Sequence, residues 1–391
     1  TNLTWLSINS CRAINLPINI SNLTNLTYLD IKIDTSYSFP ESFFFLSRNL
    51  YLSLNLGAIK LPENIGNLSN LQQLLLIKSK LSSLPESFGN LSSLEILDLQ
   101  SNQLSSLPKS FGNLSHLIRL GLYGNQLNCL PDEFSDLSNL EECYLRANGL
   151  TSLPESFGNL CNLAKLDLVN NQLTSLPESF GNLSSLTRLD LRDNYLIYLP
   201  ENIGNLLNLT WLDLSNNQLT SLPRTIINLT NLRVLRLDRN FLTDLSMLQG
   251  LSQLKQVIFL NIDLPHRYWT KFSEWEPEWL LDEGNTEIRR ILIEQVGYEK
   301  ICQELNTIEL DTWREYTLLK IDALGLIYIN YINNPRKYKA IAEEPMVFLK
   351  MTCPSTAHIH ILRVPPAMSS AEAAIVWVNH GIHPDEFAVQ T

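Results

Sequence analysis

The chain has 391 residues, of which 45% are apolar and 18% charged, with only 15 Gly and 18 Pro. This composition excludes general disorder and collagen-like or Pro-rich linker architectures, and no run of about 18 apolar residues is present that could span a bilayer as a helix. The 29 basic and 40 acidic residues give a net charge of −11, which argues against a general nucleic-acid binder, because phosphate contacts require clustered Lys and Arg.

Residues 1–15 place Leu3, Leu6 and Ile8 on the strand positions of a repeat, with no polar cap before them. They read as the second half of a repeat, so the sequence is expected to begin in mid-array. From Leu16-Pro17 onward a unit recurs at 39, 61, 84, 107, 130, 153, 176, 199 and 222, at intervals of 23 residues except for 22 between 39 and 61. The unit starting at 39 (FPESFFFLSRNLYLSLNLGAIK) is degenerate and reads as a drifted copy, with a bend in the array as the alternative.

In the unit LPESFGNLSSLEILDLQSNQLSS, starting at Leu84, the side chains of Leu94, Leu97 and Leu99 are expected to point inward around a strand, and Leu104 to close the turn. Asn102 sits where the chain leaves the strand. An amide can both donate to and accept from backbone groups, so Asn102, Asn125, Asn148, Asn171, Asn194, Asn217 and Asn240 are expected to form a buried ladder. Cys11 and Ser79 take its place in two units. Pro108, Pro154 and Pro177 are expected to fix the descent, and Phe88, Phe111 and Phe180 to fill the opposite side. Gly89, Gly112 and Gly158 serve backbone geometry rather than phosphate binding. The formal glycosylation acceptors at Asn90 and Asn182 recur because the unit recurs, and no glycan is expected.

A period of 20–29 carrying L-x-x-L-x-L-x-x-N-x-L is the leucine-rich repeat signature. Residues 1–262, with their string L-P-x-x-F/I-G-N-L, resemble the intracellular 23-residue class found in Ras-binding scaffolds and bacterial proteins; the G-x-I-P string of plant extracellular receptors is missing. The resemblance implies a protein-binding horseshoe. The expected architecture is α/β: a leucine-rich-repeat solenoid over 1–263 with a parallel sheet on its concave face, followed by a small α+β domain over 264–391. Ten strands ~4.8 Å apart would make an inner sheet roughly 50 Å long.

The outward strand positions form three columns. The first runs Ile96, Arg119, Glu142, Lys165, Arg188, Trp211, Val234; the middle Asp98, Gly121, Tyr144, Asp167, Asp190, Asp213, Arg236; the third Gln100, Tyr123, Arg146, Val169, Arg192, Ser215, Asp238. A solvated face with weak cross-strand ion pairs would account for many of these. Aromatic and Arg side chains, however, dominate interface hot spots. Arg119, Tyr123, Tyr144, Arg146, Asp167, Arg188, Asp190, Arg192, Trp211, Asp213 and Arg236 are therefore the candidate partner-binding residues, and Trp211 is expected to be exposed. They suit a protein or peptide segment of mixed charge with an aromatic or aliphatic anchor.

The pattern decays after Leu245, with Leu251, Leu254, Val257 and Phe259 still on core positions. Trp269, Phe272, Trp275 and Trp279 then crowd together and are expected to seal the last repeat and dock the next domain. From 264 to 391 the repeat vanishes, five of the seven Trp appear, and 12 basic residues face 18 acidic ones. Helices are expected from Asn285 to Gly297, over 298–305 and from Ser370, and β runs near 313–321, 325–332, 345–353 and 357–364. The strings ILRVPP, AEAAIVWV and EFAVQT make residues 274–391 resemble an uncharacterised bacterial domain that ends repeat proteins, including cyanobacterial ones.

Six cysteines stand at 11, 129, 143, 161, 302 and 353 without a CxxC pair, which suggests reduced thiols in a cytoplasmic protein. His358, His360, His380 and His383 could meet around zinc with Cys353 nearby, but no CxxC or HExxH string fixes a geometry, so no metal is expected. Cys302 and Cys353 lack the C-x-D string of cysteine-dependent ubiquitin ligases. The sequence thus points to a non-enzymatic bacterial scaffold without cofactors that binds a protein or peptide, not nucleic acid, membrane or small molecules. The alternative is an enzyme or effector whose C-terminal domain acts on a partner recruited by the repeats.

Overall fold

The computed structural model describes residues 2–10, 16–33, 39–46, 50–56 and 60–242, then 248, 250–251, 253–259, 262–265, 267–270, 279, 292, 296, 307–313, 316–321, 346–352 and 359–364. The chain divides into two compact units, Thr1–His266 and Arg267–Thr391.

The first unit carries one sheet whose strands follow chain order. They are β1 (Trp5–Ser10), β2 (Tyr28–Ile33), β3 (Leu50–Leu56), β4 (Leu71–Leu75), β5 (Ile96–Asp98), β6 (Arg119–Gly121), β7 (Glu142–Tyr144), β8 (Lys165–Asp167), β9 (Arg188–Asp190), β10 (Trp211–Asp213), β11 (Val234–Arg236), β12 (Gln256–Phe259) and β13 (Ile262–Asp263). Pairing is parallel from β1 to β12, and β13 returns antiparallel to β12. Strand length follows the sequence. WLSINS has Leu6 and Ile8, and YLDIKI has Leu29, Ile31 and Ile33, at alternate positions, and their strands are six residues long. From β5 to β11 the alternation ends at the leucine three residues before the ladder Asn, as at Leu99, and each strand has three residues.

The expected core is in place. Leu94, Leu97, Leu99 and Leu104 are fully buried, as are Leu189 and Leu191. Each ladder Asn joins its own turn to the preceding repeat. Asn171 Nδ2 donates to the carbonyls of Leu145 (3.1 Å) and Leu168 (3.0 Å), and Oδ1 accepts from the Leu150 amide (3.2 Å). Ser79 fills the same role with a shorter side chain, its Oγ donating to Leu54 O at 3.2 Å. Cys11 lies outside the described residues.

Opposite the sheet, Pro85, Pro108 and Pro177 each lead into a 3-10 turn, such as Glu86–Asn90. Phe88, Phe111, Phe134, Phe157 and Phe180 stack there at ring spacings of 6.1–6.2 Å. Strands lie ~4.8 Å apart on the other side. Each repeat is therefore a wedge, and stacking wedges places the sheet on the inner, concave face. The glycines in the 3-10 turns mark close approach rather than a left-handed backbone: a Cβ on Gly89 would lie 2.1 Å from the Ser110 carbonyl oxygen of the next repeat. The left-handed position is instead the residue before each ladder amide, at Ser101, Gly124, Ala147, Asn170, Asp193, Asn216 and Arg239.

The short 22-residue unit leaves a trace. Leu50 pairs with Leu71, but Tyr51 pairs with Gln73, so the register slips by one at the start of β3 against β4. The drifted repeat nevertheless keeps its strand in the sheet.

The second unit contains a four-stranded antiparallel sheet in the order β14 (Thr307–Trp313), β15 (Tyr316–Ile321), β16 (Met346–Thr352) and β17 (Ile359–Val364). The run read near 313–321 is split: Trp313 ends one strand and Tyr316 begins the next. Leu292 and Val296 are helical, within the helix expected from Asn285 to Gly297. The rest of that helix, those over 298–305 and from Ser370, and the run at 325–332 lie outside the described residues. Arg267 lies over the Tyr268 and Trp279 rings, at 5.1 and 5.5 Å, and the Tyr268 hydroxyl approaches the Trp279 carbonyl at 3.5 Å. Phe272 and Trp275 lie outside the described residues.

Candidate functional site

The strand registers align the first and middle outward columns as read from the sequence: Asp98, Gly121, Tyr144, Asp167, Asp190, Asp213 and Arg236 are successive Cα partners across β5 to β11, and the third column follows just past the strand ends. The candidate residues are brought onto one face, but in two chemically different halves.

In the β9–β11 half, the acids are not solvent-facing as expected. Asp190 is 5% exposed and Asp213 fully buried, with the longer side chains of Arg192 and Arg236 lying against them. Arg192 holds Asp190 in a bidentate pair, at 2.9 and 3.0 Å, and its Nε lies 3.4 Å from Asp213 Oδ2. Arg236 approaches the same oxygen at 3.7 Å. Ser215 donates its amide (2.9 Å) and hydroxyl (2.6 Å) to Asp213 Oδ1. Burial nonetheless raises the Asp213 carboxyl above its ordinary value, against the pull of Ser215 and Arg192. Trp211 was expected to be exposed and is half-buried, because the Arg188 guanidinium lies 3.7 Å above its ring. Val169 is buried at 2% exposure although it stands in an outward column.

In the β6–β8 half, Arg119 Nε lies 3.5 Å from Glu142 and its guanidinium 5.4 Å from the Tyr144 ring. Tyr144 donates its hydroxyl to Glu142 at 2.9 Å, and Lys165 donates at 2.8 Å. The Lys165 hydrogen bond is the main reason that the Glu142 carboxyl lies below its ordinary range. Arg146 lies 5.8 Å from the Tyr123 ring, which is exposed. Asp98 and Asp167 each accept one backbone amide, from Gln100 and Val169 at 3.0 Å. Burial raises both carboxyls. A depression of about 710 Å³ opens around Gly121, and a second of about 510 Å³ lies between Tyr144 and Arg192.

Two features went unread in the sequence. Trp5, Tyr28 and Tyr51 continue the first column into β1–β3 as stacked rings, at 5.6 and 4.5 Å. Their spacing of 23 was the available signal. A second amide ladder, Asn139, Asn162, Asn208 and Asn231, donates to carbonyls of the preceding repeat at 2.7–2.8 Å.

Among the described residues no group of His, Cys, Asp and Glu could hold a metal, and no helix is long and apolar enough to cross a membrane. His358, His380, His383, Cys302 and Cys353 lie outside the described residues. The His360 backbone belongs to β17.

Residues 139–196 match the leucine rich repeat family, 207–262 its two-copy form, and 93–114 a single leucine rich repeat. A search of curated proteins finds no match. Among solved structures, the plant peptide hormone receptor RGFR1 in complex with RGF2 is similar at 28% identity and a TM-score of 0.54, over 66% of this chain and 48% of its own. The Arabidopsis receptor kinase HAESA, in complex with the peptide hormone IDA and the co-receptor SERK1, is similar at 30% identity and a TM-score of 0.54, over 62% of this chain and 43% of its own. An internalin of Listeria monocytogenes shares the fold at 24% identity and a TM-score of 0.50, over 66% and 80%. The chain thus spans less than half the length of the two plant receptors. With its signature, its matched segments and its parallel sheet together, the first unit of this chain is a leucine-rich-repeat solenoid.

Proposed function

We propose that the chain is a non-enzymatic scaffold whose concave face, between Tyr123 and Arg236, binds a protein or peptide. The observation that carries this is the set of aromatic-guanidinium pairs on that face: Arg188 over Trp211, Arg146 over Tyr123 and Arg119 over Tyr144. None of these side chains fills the core. Pre-ordered Trp, Tyr and Arg side chains lose little entropy on binding, which is why such residues act as hot spots. The two plant receptors are peptide complexes of the same repeat fold, which supports the reading. On this reading Asp190 and Asp213 hold Arg192 and Arg236 in place and do not touch the partner themselves.

The unbridged thiols of Cys129, Cys143 and Cys161 support a reducing, cytoplasmic setting, and the 23-residue unit suits a bacterial protein. We assign residues 1–263 to the binding array and 264–391 to a separate α+β domain.

The test is selection of binders from a random linear peptide library displayed on phage, panned on the whole chain. Trp211→Ala should cost the selected peptides at least ~2 kcal/mol of affinity. Unchanged binding by the double variant Trp211→Ala, Arg188→Ala, with its circular dichroism intact, would move the site off this face.

A further inference from the structure

We propose that the depression over Gly121 is a pocket for one basic side chain, a lysine or arginine of an extended partner segment; this rests on the concave-face reading above. Gly121 stands in the middle column between Asp98 and Tyr144, where every neighbour carries a side chain. Its missing side chain opens the hollow. A Cβ there would come within 2.9 Å of Asp98 Oδ1, so glycine also gives that carboxylate its room.

Arg119 and Arg146 also line the hollow, but Arg119 lies against Glu142 and Arg146 against the Tyr123 ring, which leaves Asp98 and the apolar wall for a long, cation-tipped side chain. Leu75 and Ile96, both half-buried, offer apolar surface for a methylene stem, and Tyr123 and Tyr144 stand at the rim. Asp98 supplies the charge. The middle-column aspartates differ in how their charge is met. Asp190 and Asp213 each have a guanidinium nitrogen within 4.0 Å. Asp167, at the far edge of the hollow, feels both Arg146 and Arg192. Among the described residues neither Asp98 nor Asp167 forms an ion pair, but Asp98 feels a single guanidinium, that of Arg119, which is engaged by Glu142 at 3.5 Å. Burial raises the Asp98 carboxyl, against the pull of the Gln100 amide and of Arg119. A basic side chain from a partner would complete Asp98 as Arg192 completes Asp190.

The phage selection decides the matter. Selected peptides should share one Lys or Arg position. For a synthetic peptide made from them, Asp98→Asn should lower affinity at least about tenfold, as removal of one partner from a half-buried charge pair does. Replacing the basic residue by norleucine should cost as much, and the two changes together little more than either alone. Gly121→Val fills the hollow with a strand-compatible side chain and should weaken binding as strongly, with circular dichroism unchanged. Peptides without a shared basic position, or full affinity in Asp98→Asn, would overturn the pocket. If such peptides still depend on Trp211 and Arg188, the concave-face reading stands and the pocket alone falls. Failure to enrich any peptide would sink both.

Discussion

Leu189 is fully buried in β9, with the strands of two neighbouring repeats beside it. Leu189→Ala should cost about 2–5 kcal/mol, read from urea midpoints, because its stacked neighbours cannot collapse into the void. Ala147 holds a left-handed backbone at φ 52°. An L-residue there is strained, and glycine is not, so Ala147→Gly should be neutral or raise stability by up to about 1 kcal/mol, whereas glycine elsewhere in the array should lower it. The carboxylates give a pH signature. Asp98, Asp167 and Asp213 are raised by burial, so the folded chain holds protons that the unfolded chain has released. Their contribution to stability grows as pH falls from the raised folded values toward the ordinary value of about 3.9, and is level below it. Glu142 is lowered, so its contribution is present above the ordinary value and is lost as pH falls through the folded one. Urea midpoints measured from neutral pH down to about pH 4 should therefore climb first, and Asp213→Asn should remove part of the climb.

At the scale of the element, a repeat is defined by what its neighbour leaves room for. Gly89→Ala would push a methyl group against the Ser110 carbonyl oxygen and should cost about 1–3 kcal/mol by thermal melting, although alanine is the better 3-10 former. The inward leucines, the Asn ladder and the stacked Phe residues were legible because each is set by period alone. The short strands of β5–β11 were legible from where alternation stops. The reason for the glycines was not, because close approach between repeats is a distance that no single unit encodes. Nor was the burial of Asp190 and Asp213. Alternation places them outward correctly, but whether Arg192 and Arg236 fold over them depends on side-chain rotamers. Trp211 was misjudged for the same reason, since Arg188 covers it. The hollow at Gly121 was visible only as a gap in a column.

At the scale of the molecule, the period was enough for the solenoid, whereas the second unit has no repeat to amplify its signal, and its split run at Trp313 and Tyr316 shows the difference. The array itself is a row of nearly identical couplings. Each ladder amide reaches a carbonyl 26 residues back, as Asn194 does to Leu168. Pulled from its two ends, such a row should come apart like a zip, one tooth at a time. Each event should release 23 residues, or 22 from the short unit, about 80 Å of slack, and give an almost evenly spaced sawtooth in a single-molecule force trace. The teeth are not equal. Between β3 and β4 the register slips, and Ser79 stands where an amide stands elsewhere. Among the described seams this one should be the weakest stitch, and the first rupture should fall there.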